Sequence, residues 1–268
     1  MFGMILWEEG KEVQRTEVLG KPFALVGVDR KRALTDRGLR RRVRAAGKRL
    51  RRLEVEQLVL PEGFAYGELL EELGLRPVST CPLARALAVD WTAAALAGAE
   101  SCVEVAVAAD RLTQEVVQTV TALSLRYRYT ALSVPAGGEE LAARLRREYG
   151  VALRLGEGGG QARAAVLFSP GSAWEEGVPV RLRLYEEGLL PGLSLPEELE
   201  ARLVPGADRG QLLSALFQAG ALGPDRLLVT ESGEMSTAGR DRKRQKVYDL
   251  SKTVSLDNSQ IRPYNVKP

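Results

Sequence analysis

Between residues 56 and 170 short apolar runs alternate with longer amphipathic stretches, and no other feature restricts the fold as much. "EQLVLP" (56–61), "CVEVAVAAD" (102–110), "YTALSVP" (129–135), "VALRL" (151–155) and "AAVLFSP" (164–170) read as strands. Helices are expected at about 64–73, stopping at Gly74, and at about 82–98, with Thr80 or Cys81 as cap and Pro82 in the first position. Two more are expected at 112–125 and 139–149, the last closing on Gly150. Strands separated by helices of this length predict a mostly parallel sheet with helices on its faces, joined by right-handed crossovers.

The flanks depart from this rhythm. "MILW" and "VQRTEV" surround a turn at Glu9-Gly10, and "FALVGV" follows Pro22, so residues 1–29 are expected to form an antiparallel β-ribbon. Residues 30–236 are expected to form the α/β domain, opening with a basic helix at about 35–54. In its later part "VRLRLY" (180–185) reads as a strand, "DRGQLLSALFQAG" as a helix capped by Asp208, and "RLLVTE" (226–231) as a last strand. Lysine is absent between Lys48 and Lys243, where arginine is abundant, which suggests a GC-rich, bacterial coding style that the end of the chain does not share. Residues 237–268 therefore read as a flexible basic extension.

Histidine is absent from all 268 residues. That removes Ser-His-Asp and Cys-His nucleophilic machinery, histidine general bases and every histidine-containing zinc site. Two cysteines, Cys81 and Cys102, form neither a disulfide framework nor a cysteine-only zinc site. Cys81, expected at a helix N-terminus where a dipole favours thiolate, reads better as a small buried residue because no base accompanies it. The longest apolar run, 92–109, is broken by Glu100, Ser101 and Glu104, so no membrane partner is expected. Glu8 and Glu9 follow the start at once, without a basic segment ahead of an apolar one, and the expected location is cytoplasmic.

The strand–helix junction "VEVAVAADRLTQEVV" (103–117) is where a dinucleotide-binding fold keeps its glycines. The general shape of the chain resembles an NAD(P)-type Rossmann domain, but "AADRLTQ" puts side chains where the pyrophosphate needs backbone room. The next strand ends in Val134-Pro135 and not in the acid that would hold the ribose hydroxyls, so a conventional dinucleotide cofactor is disfavoured. The run "GEGGG" (156–160) has no helix after it and reads as a connector. Ligands of open α/β sheets sit beyond the carboxyl ends of the strands. The loops expected there present Glu62, Tyr66, Asp110, Arg111, Ser169 and Ser172 as candidate ligand-binding residues. The alternative is that Asp110 and Ser169 cap turns or helices and the others are solvated.

Charge is uneven. Residues 30–52 hold 12 basic side chains against Asp36 alone, residues 240–268 carry +5, and the rest of the chain carries −13. In "TDRGLRRRVRAAGKRLRRLEV" the residues Leu39, Val43, Ala46, Leu50 and Leu53 form one apolar stripe that must dock on the sheet. Arg40, Arg41, Arg44, Lys48, Arg51 and Arg52 are the candidates for contact with a partner. Nucleic-acid phosphates, an acidic protein surface and plain solvation all suit them, and the helix itself lacks an aromatic residue for stacking on bases. The functional expectation is a non-catalytic small-ligand-binding or protein-binding accessory protein on a degenerate Rossmann-like scaffold. Nucleic-acid binding through 30–52 and an enzyme with an atypical nucleotide or NAD(P) site are the alternatives.

Overall fold

A computed structural model describes residues 1–10, 12–30, 35–98, 102–157, 162–188, 190 and 192–229. The expected flexible extension, residues 237–268, lies outside them, as do residues 31–34 of the basic run and 158–160 of the glycine run.

The alternating pattern builds two five-stranded sheets. The first comprises β1 (Phe2–Leu6), β2 (Val13–Val18), β3 (Lys21–Gly27), β4 (Gln57–Val59) and β5 (Arg76–Pro77), with α1 (Asp36–Arg51) and α2 (Gly67–Glu71) in the connections. Its spatial order is β2-β3-β1-β4-β5, and all neighbours except β2 and β3 run parallel. The antiparallel pair is therefore β2–β3, and its turn is Leu19-Gly20, not Glu9-Gly10. Both turn residues take positive φ, +48° and +79°, the conformation that matches the twist of a tight hairpin. β1 instead pairs with β3 in parallel, Ile5 opposite Val26. The basic helix α1 belongs to this first sheet, so the ribbon and the helix are parts of one layer pair.

The chain then passes through α3 (Cys81–Ala86) and α4 (Ala88–Ala95), which replace the single helix expected at 82–98. The break is at Leu87, with φ −96° and ψ 3°. The second sheet follows: β6 (Glu104–Ala108), α5 (Gln114–Arg126), β7 (Tyr129–Ser133), α6 (Gly138–Tyr149), β8 (Leu153–Leu155), β9 (Ala162–Leu167) and β10 (Val180–Arg183). All its strands are parallel, in the order β10-β9-β6-β7-β8. Counted from β6, this is the strand order of the Rossmann fold, reversing between β6 and β9. The expected α/β class, a parallel sheet with flanking helices, is thus observed. Last come β11 (Leu193–Ser194), α7 (Glu197–Glu200), α8 (Arg209–Gln218) and β12 (Leu228–Val229), with β11 and β12 paired antiparallel.

Burial explains the layering. Leu39, Val43, Ala46 and Leu50 of α1 pack on Ile5, Ala24, Val26 and Leu58 at one face of the first sheet. The opposite face, with Met4, Phe23 and Val59, shares one core with Leu83, Leu87 and Trp91 of α3 and α4, Leu212 and Leu216 of α8, and Val105, Val107 and Val166 of the second sheet. The far face of the second sheet is lined by Ala106, Ala108, Ala131 and Ala165 against Trp174 and Val178. Residues 168–179, which join β9 to β10 there, hold only the 3-10 turn Ala173–Glu175, and small side chains let a loop take the place of a helix. Among the described residues, no helix is long and apolar enough to cross a membrane.

Candidate functional site

The order reversal between β6 and β9 opens the crevice in which a Rossmann sheet binds its ligand. β6 runs into Ala109, Asp110 and Arg111, and β9 into Phe168 and Ser169. Asp110 and Arg111 are exposed and Ser169 is half-buried. Thr113 caps α5, its Oγ1 accepting the Val116 N–H at 3.3 Å. Leu112 leans across to the neighbouring loop: a Cβ placed on Gly137, at the N-terminus of α6, would lie 3.2 Å from Leu112 Cδ2. An aliphatic side chain thus lies between the β6 and β7 ends, where a nucleotide would otherwise approach the backbone.

Ser172 is engaged elsewhere in the same edge. Its hydroxyl donates to Glu157 Oε1 at 2.8 Å and accepts the Trp174 N–H at 3.1 Å, while the Ala173 N–H donates to Glu157 Oε2 at 2.9 Å. Burial pushes the Glu157 carboxyl up, but the Ala173 N–H and the Ser172 and Ser133 hydroxyls outweigh it and hold the group below its ordinary value. Glu157 therefore ties the loop after β8 to the loop after β9.

Tyr66 sits at the carboxyl edge of the first sheet, half-buried, and donates to Asp36 Oδ1 at 2.8 Å. That hydrogen bond, followed by burial, raises the phenol pKa. Around it Trp7 and Phe64 stack with ring centroids 5.4 Å apart, and Tyr66 meets both rings edge-on.

Glu62 lines a polar cavity of about 680 Å³. The cavity lies beyond the carboxyl ends of β4 and β5 on one side and past β10 on the other. Its walls are Glu62, Glu71, Arg76, Thr80, Glu187 and the first turn of α8 at Asp208–Gln211. The α8 wall is stapled to β4: the Asp208 N–H donates to the Leu60 carbonyl at 2.7 Å, and the Leu60 N–H donates to Gln211 Oε1 at 2.9 Å. Asp208 caps the helix by accepting the Gln211 N–H at 2.9 Å. Arg209 is braced by both Glu200 oxygens, at 3.0 and 2.8 Å, and by the Leu193 carbonyl at 2.7 Å.

Glu187 closes the opposite wall. Its carboxylate accepts the Ser79 hydroxyl at 2.6 Å, the Thr80 N–H at 2.8 Å and the Thr80 hydroxyl at 3.0 Å. Burial would raise the Glu187 carboxyl, but these donors outweigh it and lower the pKa. Cys81, the first residue of α3, responds in the other direction: burial and the neighbouring Glu187 charge raise its thiol, which disfavours the thiolate.

The six candidate ligand residues are thus spread over three places. Asp110, Arg111 and Ser169 flank the β6/β9 crevice, with Ser172 in the adjoining tie; Tyr66 belongs to the aromatic cluster; Glu62 faces the cavity. Sequence reasoning missed Glu71, Arg76, Glu187, Asp208 and Arg209 as lining residues. Only Asp208 carried a local signal, as a helix cap; Glu187 meets Thr80 across 107 positions, and no periodicity announces such a pairing. On α1, Arg40, Arg41, Arg44, Lys48, Arg51 and Arg52 are all exposed, and Arg44 pairs with Glu72. Among the described residues, no group of three or more Cys, Asp or Glu side chains is placed to hold a metal ion.

No protein-family model and no curated protein matches the chain. Among solved structures it is similar to L-tryptophan dehydrogenase from Nostoc punctiforme, at 11% identity and a TM-score of 0.30 over 61% of this chain. The similarity covers 51% of that structure, so the chain spans about half of its length.

Proposed function

We propose that this protein is a non-catalytic binding protein that holds a small polar molecule in the cleft between the carboxyl edges of its two sheets. The observation that carries this reading is the 680 Å³ cavity walled by β4, β5, the segment after β10 and the N-terminus of α8. That volume suits a metabolite-sized ligand. The charges that line it fall into two groups. Glu187, Asp208 and Arg209 are spent on internal hydrogen bonds, which fix the walls. Glu62, Glu71 and Arg76 make no side-chain hydrogen bond or ion pair among the described residues, and they remain available to a guest. Two carboxylates and one guanidinium select a small zwitterion, its cationic group toward Glu62 and Glu71 and its anionic group toward Arg76. Binding without turnover is favoured because the chain has no histidine and the Cys81 thiol beside the cleft is held protonated.

Thermal unfolding of the full chain against amino acids, polyamines, organic acids, mononucleotides, NAD(P)(H) and S-adenosylmethionine tests the reading. A ligand that binds only the folded state raises the midpoint by mass action. A rise with a zwitterion, lost on Arg76→Ala or Glu62→Gln, is the expected result. A flat response across the panel, or a rise that depends on Asp110 and Arg111 instead, contradicts it.

A further inference from the structure

We propose that the exposed face of α1, together with the aromatic cluster at its N-terminal end, binds single-stranded nucleic acid. The site is separate from the cleft and does not depend on what the cleft holds. Arg37, Arg41, Arg44, Lys48 and Arg51 recur at steps of four and three, so they lie in one row along the helix. The apolar stripe Leu39, Val43, Ala46 and Leu50 faces the sheet from the opposite side, and the row is left to solvent. Among the described residues Glu72 alone answers this row, at Arg44. The acidic excess of the rest of the chain is therefore not what neutralises this row, although Arg42, beside it on α1, pairs with Asp29. A row about 21 Å long, in which Arg37, Arg41, Lys48 and Arg51 have no acidic partner among the described residues, attracts a polyanion and gains affinity by releasing its counterions.

Phosphates alone would not distinguish nucleic acid from an acidic protein surface; the aromatic cluster does. Trp7 follows β1, and Phe64 and Tyr66 share the loop after β4; the carboxyl edge of the first sheet gathers these two segments at the first turn of α1. They are half-buried, each ring in contact with the other two, and Tyr66 is anchored to Asp36 of α1. Arg30 sits over the Trp7 ring, 5.7 Å from its centroid. Arg30 and Arg40 both lie within electrostatic reach of the Tyr66 hydroxyl. A rigid aromatic platform flanked by arginines, continuous with a basic row, is the arrangement that stacks unpaired bases while tracking the backbone that links them. Duplex ends its bases in pairs and offers the platform nothing to stack on, so the geometry favours a single strand.

The test is fluorescence anisotropy of the full chain with a labelled oligothymidine of about twelve nucleotides, a duplex of the same length and a labelled oligoglutamate. Salt is varied between about 50 and 200 mM. The proposal expects binding of the single strand, with a log–log salt slope of about −3, as for about four released phosphate counterions. Reversing Arg37→Glu and Arg41→Glu together, both exposed and outside the core, lowers affinity about tenfold or more. Phe64→Leu lowers single-strand affinity about fivefold or more but leaves duplex affinity unchanged, and its thermal midpoint reports whether the fold survives. The charge-reversal pair keeps the test decisive if Phe64→Leu does not fold. No salt-dependent binding, equal affinity for duplex and single strand, or tighter binding of oligoglutamate than of oligothymidine would each overturn the proposal.

Discussion

Glu187 and Thr80 are joined across 107 positions of sequence: the Glu187 carboxylate accepts both the Thr80 N–H, at 2.8 Å, and the Thr80 hydroxyl, at 3.0 Å. The Thr80 hydroxyl in turn accepts the Gly188 N–H at 2.8 Å. The Thr80 side chain makes no capping hydrogen bond to α3, and the carboxylate from beyond β10 ties the start of that helix to its own loop. Replacing Glu187 by alanine removes that tie and leaves the nearly buried Thr80 donors unsatisfied. The expected cost is about 1–2 kcal/mol, read from urea unfolding. An unchanged midpoint would mean that water replaces the carboxylate without loss.

The same carboxylate sets a pH dependence. Glu187 and Glu157 both have folded-state pKa values below their ordinary range, so the folded state binds fewer protons than the unfolded state in that window. Their contribution is complete above the unfolded carboxyl pKa, about 4.3, and is lost as pH falls through the lower folded values. The thermal midpoint should therefore fall below about pH 4. Glu187→Gln, which cannot titrate, should show a shallower fall than the parent, and identical pH profiles would remove Glu187 from the explanation.

The two cysteines should separate kinetically. Cys81 is buried with its thiol pKa raised, whereas Cys102 is exposed. Alkylation followed by mass spectrometry should modify Cys102 first and Cys81 at least about tenfold more slowly, with the difference vanishing in denaturant.

The two faces of α1 should respond differently to substitution. Leu50 is fully buried against the first sheet, and Leu50→Ala should cost about 2–5 kcal/mol. Arg41→Gln and Lys48→Gln, on the outer row, should change stability by less than about 0.5 kcal/mol. Chemical denaturation of the three variants checks both statements.

At the β6/β7 edge, Gly137 holds φ at +79°, and a methyl group there would also press on Leu112. Gly137→Ala should destabilise by about 1–2 kcal/mol. Leu112→Ala in the same background relieves the contact but not the backbone strain, so it should restore only part of the loss.

Local patterns carried the architecture because they encode burial one element at a time. The apolar stripe of α1, the runs of β6 and β9, and the Asp208 cap each follow from a spacing visible within a few residues. What could not be read was pairing between distant segments. "MILW" and "FALVGV" have the same apolar character whether they join in parallel or through a hairpin, and the positive-φ turn fell at Leu19-Gly20, where a leucine gives no warning. The division into two sheets was hidden for the same reason, since both are alternations of strand and helix. The candidate site suffered most. Glu62 was legible as an edge-loop acid, but Arg76 lies within a two-residue strand and Glu187 in a loop, and only tertiary structure sets them around one cavity. The aromatic cluster was equally invisible: Phe64 and Tyr66 are neighbours in one loop, but no local spacing links them to Trp7, 57 positions before Phe64.

The cleft between the sheets, and not the β6/β9 crevice, is proposed to hold the ligand. Hydrogen exchange of the full chain, with and without the panel member that raises its melting midpoint most, tests this directly. The predicted result is slowed exchange at residues 60–62, 76–80, 187–188 and 208–211, the walls of the cavity. Protection confined to residues 109–112 and 169–170 would contradict it and return the ligand to the Rossmann crevice.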